Sequence, residues 1–247
     1  MSAAAAAGAE APAGPRGADA LDNPVLSSLL GAHAPLSLRR GRAVRYDPAV
    51  GPLAGLPADA DDADWADLAA ISGGREVVLF AVPAHVPAAA ELTWDLPGVQ
   101  LVDVHVEAGD DPEALRLGPA DAAEMLELAE RTRPGPFGPR TPETGTYLGV
   151  RRAGRLVAMA GQRLHPDGFA EVSAVCTDPS VRGQGLASRL VAAVVADARR
   201  AGRTAFLHAS ADNTGAIRLY EHLGFELRRE VRFQRFRLRP HAPHPTG

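Results

Sequence analysis

The feature that most constrains this chain is a glycine-rich junction, Arg182-Gly183-Gln184-Gly185, between a strand-like and a helix-like segment. Residues 169–177 (FAEVSAVCT) predict a buried strand that ends at Asp178-Pro179. From Leu186 to Arg200 the apolar residues recur at helical spacing. A helix start offers unpaired backbone N–H groups and positive potential, and glycines let the backbone turn sharply and approach an anion. The junction therefore predicts a phosphate site; the alternative is a turn that only connects two elements.

The elements around this junction predict a mixed α/β (α+β) architecture. A helix is expected over 119–131, then two strands, the strand at 169–177, the helix after the junction, and finally strand, helix, strand, strand. The remaining ranges are 146–151, 155–163, 204–209, 225–228 and 231–238 for strands and 214–223 for a helix. Because a helix joins strand 169–177 to strand 204–209, these two strands are expected to run parallel with a right-handed connection.

The first half of the chain has a strand-and-helix rhythm without a chemical motif. Short strands are expected at 42–46, 76–82, 92–94 and 99–106, and a helix at 61–71. The expected organisation is a disordered segment at 1–20, a divergent α/β domain at 21–112, a second domain at 113–240 and a flexible tail at 241–247.

Charge and residue usage exclude several classes of function. The formal net charge of −4 argues against general binding to nucleic acid or to acidic membranes, because neutralising phosphates needs a basic surface. The chain contains no lysine, so neither a Walker-type phosphate loop nor a pyridoxal Schiff base is available. The glycines are also a poor dinucleotide fingerprint, because Ser188 stands where the third glycine belongs.

Cysteine usage and hydropathy predict a cytoplasmic protein. Cys176 is the single cysteine, so no intrachain disulfide can form. Residues 1–15 lack the basic flank and continuous apolar core of a signal peptide, and no uncharged apolar stretch approaches the ~18 residues of a membrane span. A monomer or a homodimer is expected.

A second informative block runs from Ala211 to Phe225, after the strand predicted at 204–209. Asp212 or Asn213 can cap the helix that follows. Tyr220 lies on the apolar side of that helix, where a phenol with a reference pKa of about 10 can donate a proton to a departing thiolate. The alternative for Tyr220 is a packing role only.

Together, the two blocks resemble the GNAT acyltransferases. The first block resembles the fourth strand and pyrophosphate loop of that superfamily, whose pattern Q/R-x-x-G-x-G/A is matched by Arg182, Gly185 and Ala187. The second resembles its other signature, N-x-x-A-x-x-x-Y-x-x-x-G-F, matched by Asn213, Ala216, Tyr220, Gly224 and Phe225. The resemblance covers about residues 113 to 239 and is closest to the branch whose first half is divergent.

The resemblance implies a GNAT fold, with a mixed central β-sheet flanked by helices, and an N-acetyltransferase that uses acetyl-CoA as co-substrate and no metal. The loop from Arg182 to Ser188 would hold the pyrophosphate. Val175 and Thr177 would bind the pantetheine arm through backbone groups, and Tyr220 would protonate the CoA sulfur. The implied cofactor-binding residues are Val175, Cys176, Thr177, Arg182, Gly183, Gln184, Gly185, Leu186, Ala187, Ser188, Asn213, Ala216 and Tyr220.

The acceptor is expected to be a primary amine of a small molecule or peptide that attacks the thioester directly. An aliphatic amine is mostly protonated at neutral pH, so a base must remove a proton. Glu171 is the candidate base, with His165 and His208 as alternatives; a solvated carboxylate is the other interpretation of Glu171. Cys176 is expected to be a buried thiol and no nucleophile.

Two other functions compete with acetyl transfer. One is a non-catalytic acyl-CoA-binding regulatory module, which would keep the cofactor site and lack acceptor chemistry; a turnover assay separates it from an enzyme. The other, an NAD-dependent oxidoreductase, rests on the glycines alone. The first half of the chain is expected to be a degenerate GNAT-like domain that helps to form the acceptor pocket.

Overall fold

The computed structural model describes residues 18–239, which form an eight-stranded mixed sheet, a three-stranded sheet and five α-helices. Most of the segments predicted to be disordered, residues 1–17 and 240–247, lie outside the described residues, whereas Ala18–Leu21 form a 3-10 helix. Within residues 18–239, every helix is too short or too polar to cross a membrane.

From residue 119 onwards the helices and strands follow the predicted order, except that one long strand stands where the last two strands were predicted. The helices are α1 (Pro24–Leu30), α2 (Asp62–Ser72), α3 (Ala122–Thr132), α4 (Leu186–Arg200) and α5 (Thr214–Leu223). The strands are β1 (Ser37–Arg40), β2 (Ala43–Tyr46), β3 (Ala54–Gly55), β4 (Val77–Leu79), β5 (Ala90–Asp103), β6 (Leu115–Leu117), β7 (Tyr147–Arg152), β8 (Arg155–Gln162), β9 (Phe169–Thr177), β10 (Thr204–Ser210) and β11 (Phe225–Leu238).

The large sheet has the order β4-β11-β5-β10-β9-β8-β7-β6, and β1, β2 and β3 form the small sheet. The pair β9·β10 is parallel, which confirms the prediction from the connecting helix. The other pairs of the large sheet are antiparallel, so the sheet is mixed as expected.

Two long strands replace four predicted short ones, and the gaps predicted at 95–98 and 229–230 are wrong. β5 and β11 pair antiparallel over almost their whole length. The dipeptide Pro97-Gly98 suggests a turn but lies inside β5, because the ring of Phe233 packs directly on Gly98 and leaves no room for a Cβ atom. The second gap is a register shift between Leu227 and Arg229, which bends β11 without ending it.

The part of the chain before residue 112 contributes two strands to the large sheet. β5 lies between β10 and β11, and β4 lies at the edge beside β11. The division into domains at residue 112 stays a prediction, and it would separate these two strands from the partners that they pair with.

Different parts of the chain cover the two faces of the large sheet. α4 packs on one face against alternate residues of β9 and β10, which are Ala170, Val172, Ala205 and Leu207. Their neighbours in sequence Phe169 and Phe206 point to the opposite face, where they meet α1 and β2. Glu171 and His208 each lie two residues beyond one of these phenylalanines, so they share the face that the first half of the chain covers.

Candidate active site

The parallel strands β9 and β10 separate partway along their length. Their pairing runs from Thr204↔Phe169 to Phe206↔Glu171 and stops there. Just beyond, Ala174 has a φ of 53°, and the register of β9 against β8 shifts, which marks a β-bulge in β9. The strand ends beyond the bulge therefore leave a gap between them.

The backbone of β9 is free to bond a ligand in this gap. The N–H of Asp178 donates to the carbonyl of Val157 in β8 at 2.7 Å, so this part of the backbone pairs away from the gap. Because the backbone groups of a strand alternate in direction, those of Thr177 and Val175 face the gap. These two residues were predicted to bind an extended ligand through their backbones.

The glycine-rich junction forms the entry to α4. Gly183 and Gly185 have φ values of 80° and 72°, in the left-handed region that favours glycine. Gly185 is the N-cap of α4, so no side chain caps the helix, and its first turn contains no acidic residue. The backbone N–H groups of residues 186–188 therefore remain available to an anion.

A cavity of ≈ 620 Å³, here called the donor cavity, joins the gap to the junction. Every residue predicted to bind the cofactor lines it: Val175, Cys176, Thr177, Arg182, Gly183, Gln184, Gly185, Leu186, Ala187, Ser188, Asn213, Ala216 and Tyr220. The two sequence blocks, which α4 and β10 separate along the chain, thus meet around one space.

Asn213 and Tyr220 close the donor cavity from the side of α5. The Oδ1 atom of Asn213 accepts a hydrogen bond from the backbone N–H of Ala216 at 3.2 Å, which confirms its predicted capping role. Tyr220 is 9% exposed, and burial raises its pKa to about 12. Its phenol therefore keeps its proton at neutral pH, as a proton donor must.

Cys176 is buried beside the same cavity. Burial raises the pKa of its thiol, so the reactive thiolate form is disfavoured at neutral pH. This environment agrees with the interpretation of Cys176 as a packed thiol.

Glu171 lies on the other face of the sheet and outside the donor cavity. Its side chain is fully buried, so the interpretation as a solvated carboxylate is wrong. Arg163 donates two hydrogen bonds to it, at 2.8 and 2.6 Å, and Nδ1 of His208 lies 2.7 Å from Oε1. Burial raises the pKa of Glu171, but the charge of Arg163 and the hydrogen bonds from Arg163 and His208 outweigh burial and hold the pKa at about 2.

His208 links Glu171 to a buried amide. The imidazole is 3% exposed, and its Nε2 lies 3.1 Å from Nε2 of Gln100. The same amide nitrogen donates to the carbonyl of Leu21 at 2.9 Å, and Oε1 of Gln100 accepts from Arg228 at 2.8 Å. The result is a continuous polar chain from Arg163 to Arg228 through the sheet face opposite α4.

A second cavity, of ≈ 550 Å³, opens beside this polar chain. It lies between the end of β4 and the strands β5, β10 and β11. Its lining combines apolar, polar and charged groups and includes Phe80, Gln100, His208, Ala211, Arg229 and Arg232.

His165, the other predicted alternative for the base, lies apart from both cavities. Its ring centroid is 4.9 Å from that of His33, and its Nε2 is 3.0 Å from Oε1 of Gln162. Burial, together with the neighbouring His33 and Arg203, lowers the pKa of His165 to about 4.

Sequence reasoning missed Arg163, Gln100 and the second cavity. Arg163 had a usable signal, because the hairpin register that pairs Gln162 with Val172 brings Arg163 opposite Glu171. Gln100 had none, since the pairing of β5 with β10 that places Gln100 opposite His208 joins segments far apart in the chain.

Comparisons with known proteins bear on the same region. Residues 147–234 match the family described as FR47-like protein. The chain is 34% identical over 160 residues to a protein named mycothiol acetyltransferase from Mycobacterium avium (strain 104), which covers 55% of this chain and 49% of that protein. The chain thus spans about half the length of the curated relatives it matches.

Solved structures match a larger share of the chain. A crystal structure described as an acetyltransferase of the GNAT family, from Novosphingobium aromaticivorans DSM 12444, is 40% identical with a TM-score of 0.81 and covers 89% of this chain and 98% of that one. A GCN5-related N-acetyltransferase from Kribbella flavida, 21% identical with a TM-score of 0.56, shares the fold over 85% of this chain and 93% of that one.

Proposed function

Since this chain belongs to the GNAT family of acetyltransferases, we propose that it transfers an acetyl group from acetyl-CoA to a primary amine of a small molecule or peptide by direct attack. The observation that carries the proposal is the donor cavity, which brings both sequence blocks to the gap between β9 and β10. We also propose that the protein acts in the cytoplasm as a monomer or homodimer and uses no metal.

The residues around the donor cavity fit the parts of acetyl-CoA. The uncapped start of α4 suits the pyrophosphate, because backbone N–H groups and the helix dipole both favour an anion there. The free backbone edge at Val175 and Thr177 suits the amide-containing pantetheine arm. Asn213 holds the start of α5 against the same arm.

The chemistry at the thioester needs an oxyanion donor and an acid. A backbone N–H near Val175 and Cys176 polarises the acetyl carbonyl and stabilises the oxyanion that forms when the amine attacks. Tyr220 donates its phenolic proton to the sulfur as the C–S bond breaks. Because a thiol leaves more easily than a thiolate, this proton drives the reaction toward the amide.

The amine must also lose a proton, and Glu171 is the central residue for that step. With a pKa of about 2, its carboxylate stays charged throughout the neutral range. Its oxygens are engaged by Arg163 and His208, so its contribution is a fixed negative charge that stabilises a proton held next to it.

The similarity to proteins named mycothiol acetyltransferase covers about half of their length and supports a small-molecule acceptor. A mycothiol precursor with a free amine therefore belongs among the acceptors to test.

The test is release of CoA from acetyl-CoA with glucosamine, tyramine, spermidine, a lysine-containing dipeptide and a mycothiol precursor. A thiol reagent follows the thiol-free amines, and mass spectrometry identifies every acetylated product. We expect release above the rate without amine for at least one of them. Binding of acetyl-CoA without release on this panel contradicts the proposal and favours the non-catalytic regulatory module.

A further inference from the structure

His208 is held in one tautomer by the groups on either side of it. The orientation of the Gln100 amide is fixed, because its nitrogen donates to the carbonyl of Leu21 and its oxygen accepts from Arg228. The amide nitrogen can therefore only donate to Nε2 of His208, which must be unprotonated. The ring proton is on Nδ1, where it is donated to the carboxylate of Glu171 at 2.7 Å.

This arrangement prepares Nε2 of His208 to accept a proton. A carboxylate behind an imidazole fixes the ring and stabilises the imidazolium once the opposite nitrogen is protonated. In the structure the N–H of Gln100 already donates to the Nε2 lone pair, and the N–H of a bound amine would take its place. His208 also lines the ≈ 550 Å³ cavity, from which such an amine can approach.

The second cavity and the donor cavity lie at the same end of β10. Ala211 lines the second cavity, and Asn213, two residues further along the chain, lines the donor cavity. The two cavities therefore flank the same end of β10. His208 lies on the face opposite α4, so an amine in the second cavity would approach the gap from the side away from residues 182–188.

We infer that the ≈ 550 Å³ cavity receives the amine acceptor and that Nε2 of His208 takes its proton, with Glu171 as a positioning residue. The inference rests on the proposed acetyl transfer and names the base for it. It moves the proton-accepting atom from Glu171, the base predicted from sequence, to the imidazole that Glu171 holds.

The proposed reaction conserves atoms and charge. Nε2 of His208 takes one proton from the alkylammonium, and the free amine nitrogen forms a bond to the carbonyl carbon of the thioester. The C–S bond breaks, and its electron pair takes the phenolic proton of Tyr220. The second proton that the nitrogen loses when the amide forms returns to Tyr220 through solvent, and His208 releases its proton to solvent. One ammonium and one thioester thus give one amide, one thiol and one proton.

The charges around His208 come from each strand packed against it. Glu171 of β9 faces Nδ1, and Arg163 lies immediately behind that carboxylate. Arg228 of β11 stands behind Gln100 and pairs with Asp22 at 2.7 Å. The rings of Phe80, Phe206 and Phe233 enclose the imidazole on its apolar sides.

The test compares the wild type with His208→Gln, His208→Ala and Glu171→Gln in the CoA-release assay with the fastest of the panel amines. We expect kcat to fall by about 100-fold in both His208 variants, with the KM for acetyl-CoA unchanged, because the donor cavity is intact. The fall of kcat toward acid pH should disappear in His208→Gln, and added imidazole should restore part of the activity of His208→Ala. Glu171→Gln should lower kcat and alter the same acid limb.

His105→Gln is the matched control, because His105 is an exposed histidine at the end of β5, outside both cavities, and its kcat should stay at the wild-type value. Wild-type kcat in His208→Gln, or a fall in kcat without imidazole rescue and with the acid limb retained, overturns the inference. No release by the wild type with any amine overturns the proposed function as well.

Long-range ¹H–¹⁵N spectra of the wild type need no variant: an Nδ1–H tautomer for His208 supports the inference, and an Nε2–H tautomer contradicts it.

Discussion

The donor cavity and the acceptor side of the sheet, meaning the second cavity with the buried polar chain from Arg163 to Arg228, are built from different kinds of structure. The donor cavity depends on backbone: left-handed glycines, an uncapped helix start and a free strand edge. The acceptor side depends on buried side chains that pair across four strands, from Arg163 to Arg228. We therefore expect side-chain changes around the donor cavity, Tyr220 apart, to matter less than changes in the buried polar chain.

The largest expected effect is on the acceptor side, in Arg163→Met. Removing this cation leaves the fully buried Glu171 without its main partner, and an uncompensated buried charge costs about 3–5 kcal/mol of unfolding free energy. Urea unfolding of the purified variant measures the loss. The double variant Arg163→Met/Glu171→Leu should recover most of it, since no buried charge remains. If Arg163→Met alone were as stable as the wild type, this account of the buried polar chain would be contradicted.

Tyr220→Phe tests the side chain of the donor cavity that is proposed to donate a proton to the sulfur. We expect kcat to fall by about 100-fold because the sulfur then leaves without a proton from the phenol. The affinity for acetyl-CoA, measured by calorimetry, should stay unchanged, since the ring and its packing on Phe225 remain. Unchanged turnover would remove the role of Tyr220 as acid.

The two halves of the site could be predicted from the sequence to different extents. Residues 182–188 and 213–225 carry their geometry locally, in glycines, caps and apolar spacing, so their elements could be predicted from the residues themselves. That the two blocks meet around one cofactor followed from the resemblance to the GNAT acyltransferases. Gln100 and the lining of the second cavity could not, because β5 comes to lie between β10 and β11 only in the folded sheet. The same tertiary pairing merged the strands predicted separately at 92–94 and 99–106.

Gly183→Ala should weaken acetyl-CoA binding by about 10-fold. Alanine at a φ of 80° costs about 1–2 kcal/mol, and relief of that strain would displace the backbone proposed to bind the phosphates. Gly154→Ala is the matched control, because Gly154 has a φ of 81°, open space around it and a position in the β7–β8 turn outside the donor cavity. Both variants should lose similar stability, and only Gly183→Ala should lose affinity; equal affinities would break the claim that backbone builds this cavity.

The effect expected to be smallest at neutral pH is that of two largely buried histidines, His33 and His165, which lie outside both cavities. Burial lowers the pKa values of His33 and His165 from 6.5 to about 4, so both rings bind fewer protons in the folded chain than in the unfolded one. Their contribution to the unfolding free energy is present above pH 6.5 and is lost as the pH falls toward 4. Unfolding free energies measured across this window should fall less in His33→Asn/His165→Asn than in the wild type, and parallel curves would refute the assignment.

Hydrogen–deuterium exchange of the wild type, with and without acetyl-CoA, tests the two-sided site most directly. We predict slower exchange at the β9 end and the start of α4, residues 175–188, and at the start of α5, because these backbone groups would bond the donor. Residues 97–100 and 229–232, which line the second cavity, should exchange at unchanged rates. Protection of that second set, with 175–188 unaffected, would contradict the assignment of the donor cavity.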